Sequence, residues 1–564
     1  MNFPGIGRKL KGIKGFGAGV IVSCTAFLFI QATGTDSYFE VSKNLDIYAT
    51  VFRELNNFYV DPIEPGKMVK TSIDGMLEEL DPYTNYITES DIEEYQFMTT
   101  GKYGGIGATM RKKEDDIYIG DVYENSPAQK AGLHPGDAVI SIDNQAVKGK
   151  TIDDISLLLK GSPGSKVTIK VKDAYNSVVA DKIVTRGEIE LSSVPYAGLI
   201  GPKKDVAFVK LTQFTPACSR LVRKALDSLK AAQPKLRGVV LDLRNNPGGL
   251  LDEAVNVCNL FIDKGELIVS TKGKVKEWDK DFKTTASPWD LKIPLTVLIN
   301  HSSASASEIV AGSVQDLDRG IVIGERSYGK GLVQTTRSLG YNARLKLTTA
   351  KYYTPSGRCI QAIDYSNRNA DGSVGTIPDS LKKLFKTKSG RDVLSGGGVD
   401  PDIAIEEQNI SRLAITLYTK NYFFDYATEY LRKHQKAPSL DSFELSSAEF
   451  NEFSKWLENK DYSYKTETEE ALDSLISIAK REKYHDGAKN ELTAVQSKIS
   501  HDKKQDLLKN QKEVKDLLEN EIVSRHYFLR GRIAQSLKRD EDIEKALGVI
   551  DDKVRYEALL KPKK

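Results

Sequence analysis

Three serines spaced two apart, Ser303, Ser305 and Ser307, lie between an apolar run and a helix-like segment, and a lysine between glycines, Lys330, follows them. A serine hydroxyl is a weak nucleophile at neutral pH and attacks a carbonyl only when a neighbouring base takes its proton. The six histidines are badly placed to be that base. His134 lies in an earlier module, His434, His485, His501 and His526 lie in the charged C-terminal region, and His301 has no evident acidic partner. A lysine can serve instead, because burial disfavours its charged form. Lys330 stands in Ser327-Tyr328-Gly329-Lys330-Gly331-Leu332-Val333-Gln334, just after apolar Ile321-Val322-Ile323. These residue types permit acyl transfer by a serine with a lysine base. Taken singly, each has a plainer reading: Ser/Ala turns cap helices, and lysines between glycines usually sit in exposed loops.

The elements around them support the chemistry. Ile293-Pro294-Leu295-Thr296-Val297-Leu298-Ile299 reads as a buried strand, and Glu308 to Val314 as the start of a helix, so the serines occupy a strand-to-helix turn. Such a turn presents a side chain at the sheet edge and leaves N–H groups at the helix start facing the place where an oxyanion would form. Upstream, Gly238-Val239-Val240-Leu241-Asp242-Leu243-Arg244-Asn245-Asn246-Pro247-Gly248-Gly249-Leu250-Leu251 reads as a strand, a glycine turn and a helix running through Ala254, Val255 and Val257. Glycines there let the backbone approach a ligand closely, although an ordinary β-α turn uses them for chain reversal as well.

In order along the chain, these segments, with Gln315-Asp316 and Gly324-Glu325 between them, resemble the signature of the C-terminal processing peptidases, also called tail-specific proteases. The resemblance covers about residues 45 to 408 and implies a multidomain α/β protein with a crotonase/ClpP-like protease core. It implies that Ser305, the middle serine, is the nucleophile and that Lys330, 25 residues on, is the base. Gln334 matches a residue that orients the lysine in some members. The N–H groups of Gly248 and Ala306 are implied as the oxyanion hole. Asp316 matches an auxiliary acidic position, with a solvated helix carboxylate as the equal alternative.

A second module precedes the core. Tyr103-Gly104-Gly105-Ile106-Gly107 is followed by the alternating run Asp116 to Val122, then Ser126-Pro127-Ala128, Ala131-Gly132-Leu133, Pro135-Gly136-Asp137 and an amphipathic stretch from Ile152 to Leu159. Ser-Pro starts a helix and the glycine stops it. This train resembles a PDZ domain inserted before the core. Its loop Gly104, Gly105, Ile106, Gly107 is thereby implied to hold the terminal carboxylate of a substrate that adds as a strand. One departure is Lys160 before Gly161, where some family members carry an arginine; lysine keeps the charge and loses the planar fork.

Arg8, Lys9, Lys11 and Lys14 precede 21 uncharged residues, Gly15 to Thr35, which reads as an export signal retained as an anchor, cleaved, or lipidated at Cys24. The expected location is the periplasmic side of a bacterial envelope, with the inner membrane held by residues 15–35. With 81 basic and 78 acidic residues there is no nucleic-acid footprint. Cys218, Cys258 and Cys359 show no metal-ligand spacing, and neither a metal nor a cofactor is expected. The division reads as 1–35 signal or anchor, 36–95 helical N-terminal region, 96–186 PDZ domain, 187–408 Ser-Lys peptidase core and 409–564 helical C-terminal domain. The hydrophilic stretch from about 364 to 397 lacks periodicity and reads as containing a mobile loop. The expected function is an endopeptidase that takes protein substrates by their free C-termini, with a homo-oligomer, an adaptor or an activating lipoprotein as candidate partners. A catalytically inactive PDZ scaffold is the alternative, and a crotonase-like acyl-transfer enzyme a further one, without an evident coenzyme A site.

Overall fold

The computed structural model describes residues 38–368, 373–406, 410–434, 436–499 and 503–562. The basic apolar segment expected at the membrane lies outside them. Among the described residues no helix is long and apolar enough to cross a membrane.

A first unit, ending at Tyr86, holds a helix over residues 38–58 and a second over Pro65–Glu78. On the first helix Leu45, Tyr48, Val51 and Phe58 stay exposed, while Phe52 and Leu55 are half-buried. Asp81 closes the following turn by accepting the Tyr83 and Thr84 N–H groups, each at 2.9 Å.

In the second unit the chain enters a PDZ-like module through the strand Lys102–Gly105 and leaves it through Gly187–Glu190, and these two strands pair. Between them lies an antiparallel sheet of Ala108–Lys113, Asp116–Val122, Ala138–Ile142, Lys166–Lys172 and Val179–Thr185, with Gln145–Ala146 beside the third. Ile117 and Ile119 are fully buried, as strict alternation demands of a half-buried strand. The Ser126 hydroxyl caps Pro127–Lys130, and Thr151 with Asp154 caps Ile152–Leu159.

The core is one sheet in the order β1 (Tyr196–Ile200), β2 (Val206–Lys210), β3 (Gly238–Asp242), β4 (Leu295–Ile299), β5 (Ile321–Gly324) and β6 (Ile403–Ala404). Only the β1–β2 pair is antiparallel. Every residue of β3 and β4 is buried, which is why both read as continuous apolar runs: a parallel strand is covered on both faces. Val239, Leu241 and Val297 point to one face, onto helices α1 (Cys218–Ala232), α2 (Leu251–Cys258) and α3 (Ala306–Asp316).

Phe208, Val240, Leu298 and Ile323 point to the other face, and helix α4 (Glu541–Asp551) covers them with Ile543, Ala546, Val549 and Ile550. The last helices of the helical C-terminal domain supply the second layer of the core, and Tyr556 bonds through its hydroxyl to both the N–H and the carbonyl of Leu295. Of the intervening helices, Arg412–Thr419, Tyr422–Lys433, Ser447–Leu457 and Gln511–Ser536 gather around an aromatic cluster of Phe423, Tyr426, Tyr430, Phe450 and Phe453. Val514, Leu518 and Ile522 are fully buried there, whereas Leu475 and Ile478 of Glu467–Arg481 remain exposed.

A smaller antiparallel sheet of Leu267–Gly273, Lys280–Lys283, Leu332–Ser338 and Arg344–Tyr353 stands over the helix layer. The hydrophilic stretch from about 364 to 397 carries two short strand pairs, Ile363–Arg368 with Val374–Thr376 and Leu384–Lys386 with Asp392–Leu394.

Candidate active site

Ser305 joins β4 to α3 in a backbone conformation (φ 56°, ψ −113°) that side-chain-bearing residues rarely adopt. Holding it costs on the order of 1–3 kcal/mol, and the surrounding contacts must over-determine it. Behind the turn, Ser303 and Ser307 are fully buried and donate from Oγ to the carbonyls of Leu243 and Asn246, at 2.9 and 2.8 Å. The sequence left three serines open; these two are spent on packing, and Ser305 is half-buried at the surface of the turn.

Ala306 opens α3, and its N–H has no acceptor among the described residues, as expected for the first donor of a helix. The glycine turn closes against it. A Cβ built on Gly248, which has φ 102°, would lie 2.7 Å from the Ala304 carbonyl oxygen, 2.8 Å from Ser305 Cβ and 2.9 Å from the Ala306 nitrogen. Only glycine permits this approach. The Gly248 N–H is occupied, donating to Asn246 Oδ1 at 2.9 Å. Fully buried Asn246 stitches the two turns together: its carbonyl accepts the Ala304 N–H at 3.0 Å and the Ser307 hydroxyl, and its amide donates to Leu211 at 2.8 Å. Asn245 and Asn300 add a second link, at 2.9 Å in both directions.

Lys330 lies half-buried in the link from β5 to Leu332–Ser338. Glu308, at the third position of α3, ties that link to the serine turn. One carboxylate oxygen accepts the N–H groups of Ser305 (2.8 Å) and Lys330 (2.9 Å); the other accepts Gly329 N–H (2.7 Å) and the Ser327 hydroxyl (2.6 Å). The side chain is fully buried, and burial pushes its pKa up to about 7 although all four hydrogen bonds favour the ionised form. Tyr352 repeats the bridge on the carbonyl side, its hydroxyl 2.6 Å from Lys330 O and 3.1 Å from Ser305 O. Sequence reasoning missed both residues as site components. A glutamate three positions after a serine signals a capping box, and nothing local says that its other oxygen reaches residues about twenty positions away.

The remaining expected residues divide. Gln334 lies four residues beyond Lys330, and its amide donates to Thr348 Oγ1 at 3.2 Å across the strand pair. Asp316 ends α3, about 16 Å of helix rise from Ser305, and forms a fully buried ion pair with Arg358 at 2.8 Å. Its other oxygen accepts the Thr354 hydroxyl at 2.6 Å. The structure therefore does not bring Asp316 to the serine, and the solvated-carboxylate reading fails as well. His301 does have an acidic partner, contrary to the sequence reading: Nδ1 lies 2.8 Å from Glu325 Oε2, at the exposed mouth of the turn.

In the PDZ-like module, Gly104 and Gly105 are held in the ladder with Gly187–Glu190, while the Ile106 and Gly107 N–H groups have no acceptor among the described residues. Ile106 borders a groove of about 310 Å³ between Ala108–Lys113 and Ile152–Leu159, lined by Tyr103, Met110, Ile152 and Leu159. Lys160 lies at its rim, and Arg186 caps the groove helix, donating to the Leu158 and Leu159 carbonyls at 2.9 and 3.0 Å. Arg111 and Lys113 of the groove strand reach Asn421 (2.9 Å) and Asp425 (2.5 Å) of the helical domain. His134, Asp137 and Asp173 are near enough to share a cation, but Asp137 is already bonded to the His134 and Ala174 N–H groups.

Comparison with known proteins bears on the same segments. Residues 205–380 match peptidase family S41, 118–173 a PDZ domain, and 413–550 the C-terminal helical domain described for a probable PDZ-protease. The chain is 35% identical over 350 residues to a carboxy-terminal-processing protease of Bartonella bacilliformis, covering 62% of this chain and 80% of that one. It is 33% identical over 468 residues to a probable CtpA-like serine protease of Staphylococcus aureus, covering 82% and 90%. Among solved structures, the photosystem II D1 C-terminal processing protease is 26% identical with a TM-score of 0.34, covering 63% of this chain and 86% of that one. The PDZ domain of a carboxy-terminal protease from Vibrio cholerae, solved with a peptide, is 28% identical over 16% of this chain and 99% of its own, with a TM-score of 0.15.

Proposed function

The chain belongs to peptidase family S41 as a serine-type, carboxy-terminal-processing protease, and on that premise we propose that it cleaves unfolded or tail-bearing envelope proteins with a Ser305–Lys330 dyad after its PDZ domain has taken their free C-termini. The observation that carries the dyad is the single Glu308 oxygen accepting the N–H groups of both residues.

In this reading Ser305 Oγ attacks the scissile carbonyl carbon while Lys330 takes the hydroxyl proton. The tetrahedral oxyanion forms at the start of α3, where the Ala306 N–H is unengaged. Gly248 contributes the second donor once its N–H leaves Asn246 Oδ1, a change confined to the glycine turn. Lys330 then returns the proton to the leaving amine, and water repeats the sequence on the acyl-enzyme. Gln334, four residues further along, keeps the lysine oriented through the strand pair it shares with Thr348.

Two features support recognition by the PDZ domain: the unengaged Ile106 and Gly107 N–H groups suit a carboxylate, and the apolar groove beyond them suits a weakly polar tail. We place the enzyme on the periplasmic side of the inner membrane through residues 15–35, with the oligomeric state and any adaptor or activating lipoprotein to be found by pull-down. The test is incubation of the purified protein with an unfolded substrate whose C-terminus is free or amidated. Cleavage that is lost in Ser305→Ala and Lys330→Ala and is slowed by amidation is expected. No cleavage of either form, with candidate partners added, would overturn the proposal.

A further inference from the structure

A second groove, about 640 Å³, lies between the N-terminus of α2 and one face of the smaller sheet. It adjoins both site turns: Leu250 on one wall is two residues beyond Gly248, and Val333 on the other is three beyond Lys330. The lining follows a strand's alternation, with Val333, Thr335 and Arg337 from Leu332–Ser338 facing in beside Phe282 and Ala350. Strand Leu332–Ser338 pairs with Arg344–Tyr353 on one side, and among the described residues no strand pairs with its other edge. An unpaired edge is a ready template for an extended chain.

Most of the charge at the groove is already engaged, exposed Asp252 at the start of α2 excepted. The Arg337 guanidinium sits 4.9 Å over the Trp278 ring, Lys280 sits 4.5 Å over Phe282, and the Glu253 carboxylate accepts the Ser219 N–H at 2.9 Å. An acidic substrate side chain entering here would lose water without gaining an unspent partner, whereas an apolar one fits the Leu250, Phe282, Val333 and Ala350 surface.

We propose that an extended substrate segment adds along the free edge of Leu332–Ser338 and lays two alternate apolar side chains into this groove, on one side of the bond that Ser305 attacks. The edge strand begins two residues after Lys330, so a segment paired with it is delivered in register to the dyad. Alternate residues of an extended chain face the same way, which is why the selected pair is separated by one unselected residue. The proposal rests on the dyad reading and adds to it the chemical class of residue at the cut.

The experiment uses the purified full chain and a peptide library with a randomised centre and one fixed, free apolar C-terminus, with cut sites mapped by mass spectrometry. Apolar enrichment at two positions separated by one residue, on the same side of the cut, is expected. Thr335→Glu, at an exposed position, reduces that enrichment about tenfold, and Trp278→Ala, which frees Arg337, lets acidic residues into one of the two positions. Cleavage with no spaced preference, or a preference unmoved in both variants, would overturn the groove assignment alone. Absence of any cleavage by the wild-type chain would overturn the dyad reading and this one together.

Discussion

Ser305 and Lys330 are joined through their backbones: both N–H groups point at Glu308 Oε2, at 2.8 and 2.9 Å. Both residues are thus fixed to one buried atom, and Tyr352 holds the corresponding carbonyls from the other side.

Glu308→Gln replaces one acceptor oxygen by an amide that can only donate, so two of the four N–H and O–H donors lose their partner. Charge-assisted hydrogen bonds of this kind are worth about 1.5–3 kcal/mol each. We expect kcat/KM to fall by roughly 100-fold or more, with peptide binding to the PDZ groove unchanged; steady-state peptidase kinetics and peptide titration measure the two separately.

Stability should carry the signature of the same carboxyl. Its folded pKa of about 7 lies above the ordinary 4.5, because burial opposes the charge. The folded state then binds a proton that the unfolded state releases, so this stabilisation is complete below pH 4.5 and is lost as the pH rises to 7. Denaturant unfolding of wild type and Glu308→Gln across that window should show the wild-type curve falling more steeply with pH; parallel curves would contradict it.

Gly248→Ala tests the close approach of the two turns. Its Cβ would meet the Ala304 oxygen at 2.7 Å and Ser305 Cβ at 2.8 Å, at a φ of 102° that alanine resists. Strain of about 1–3 kcal/mol should displace the Ser305 turn and abolish measurable cleavage while leaving a folded protein by circular dichroism.

Asp316→Asn separates the structural from the chemical reading of that residue. Removing one partner of a fully buried ion pair costs about 3–5 kcal/mol, so the melting temperature should drop markedly. Because Asp316 stands at the far end of α3, kcat per folded molecule should remain near wild type below the new transition; a large loss of kcat at full folding would assign it a catalytic part.

Much of the site could be read from residue spacing. The apolar run of β4, the serine turn and the glycine turn are local patterns, and local patterns report strand, turn and helix start directly. The PDZ-like module was legible for the same reason, through Ser126-Pro127 and Gly132. Partnerships set by tertiary packing left no such trace. Glu308 reads as a cap, His301 shows no partner until β5 brings Glu325 beside it, and Asp316 reads as a surface charge until Arg358 arrives from beyond the next sheet. Arg244 of the glycine-turn segment bonds to Asp540, 296 residues away, and to Asp542, where α4 begins. No periodicity in the tail distinguishes a helix that packs on its own domain from one that returns to the core.

That return of α4 has a consequence in time. A ribosome delivers the chain from its N-terminus, and domains ordinarily fold as they emerge. Here Phe208, Val240, Leu298 and Ile323 lack the cover of α4 until Ile543 to Ile550 have been made. The strands that carry the serine and glycine turns are translated early and supported last, so a nascent chain holds Ser305 and Lys330 well before it holds a finished enzyme.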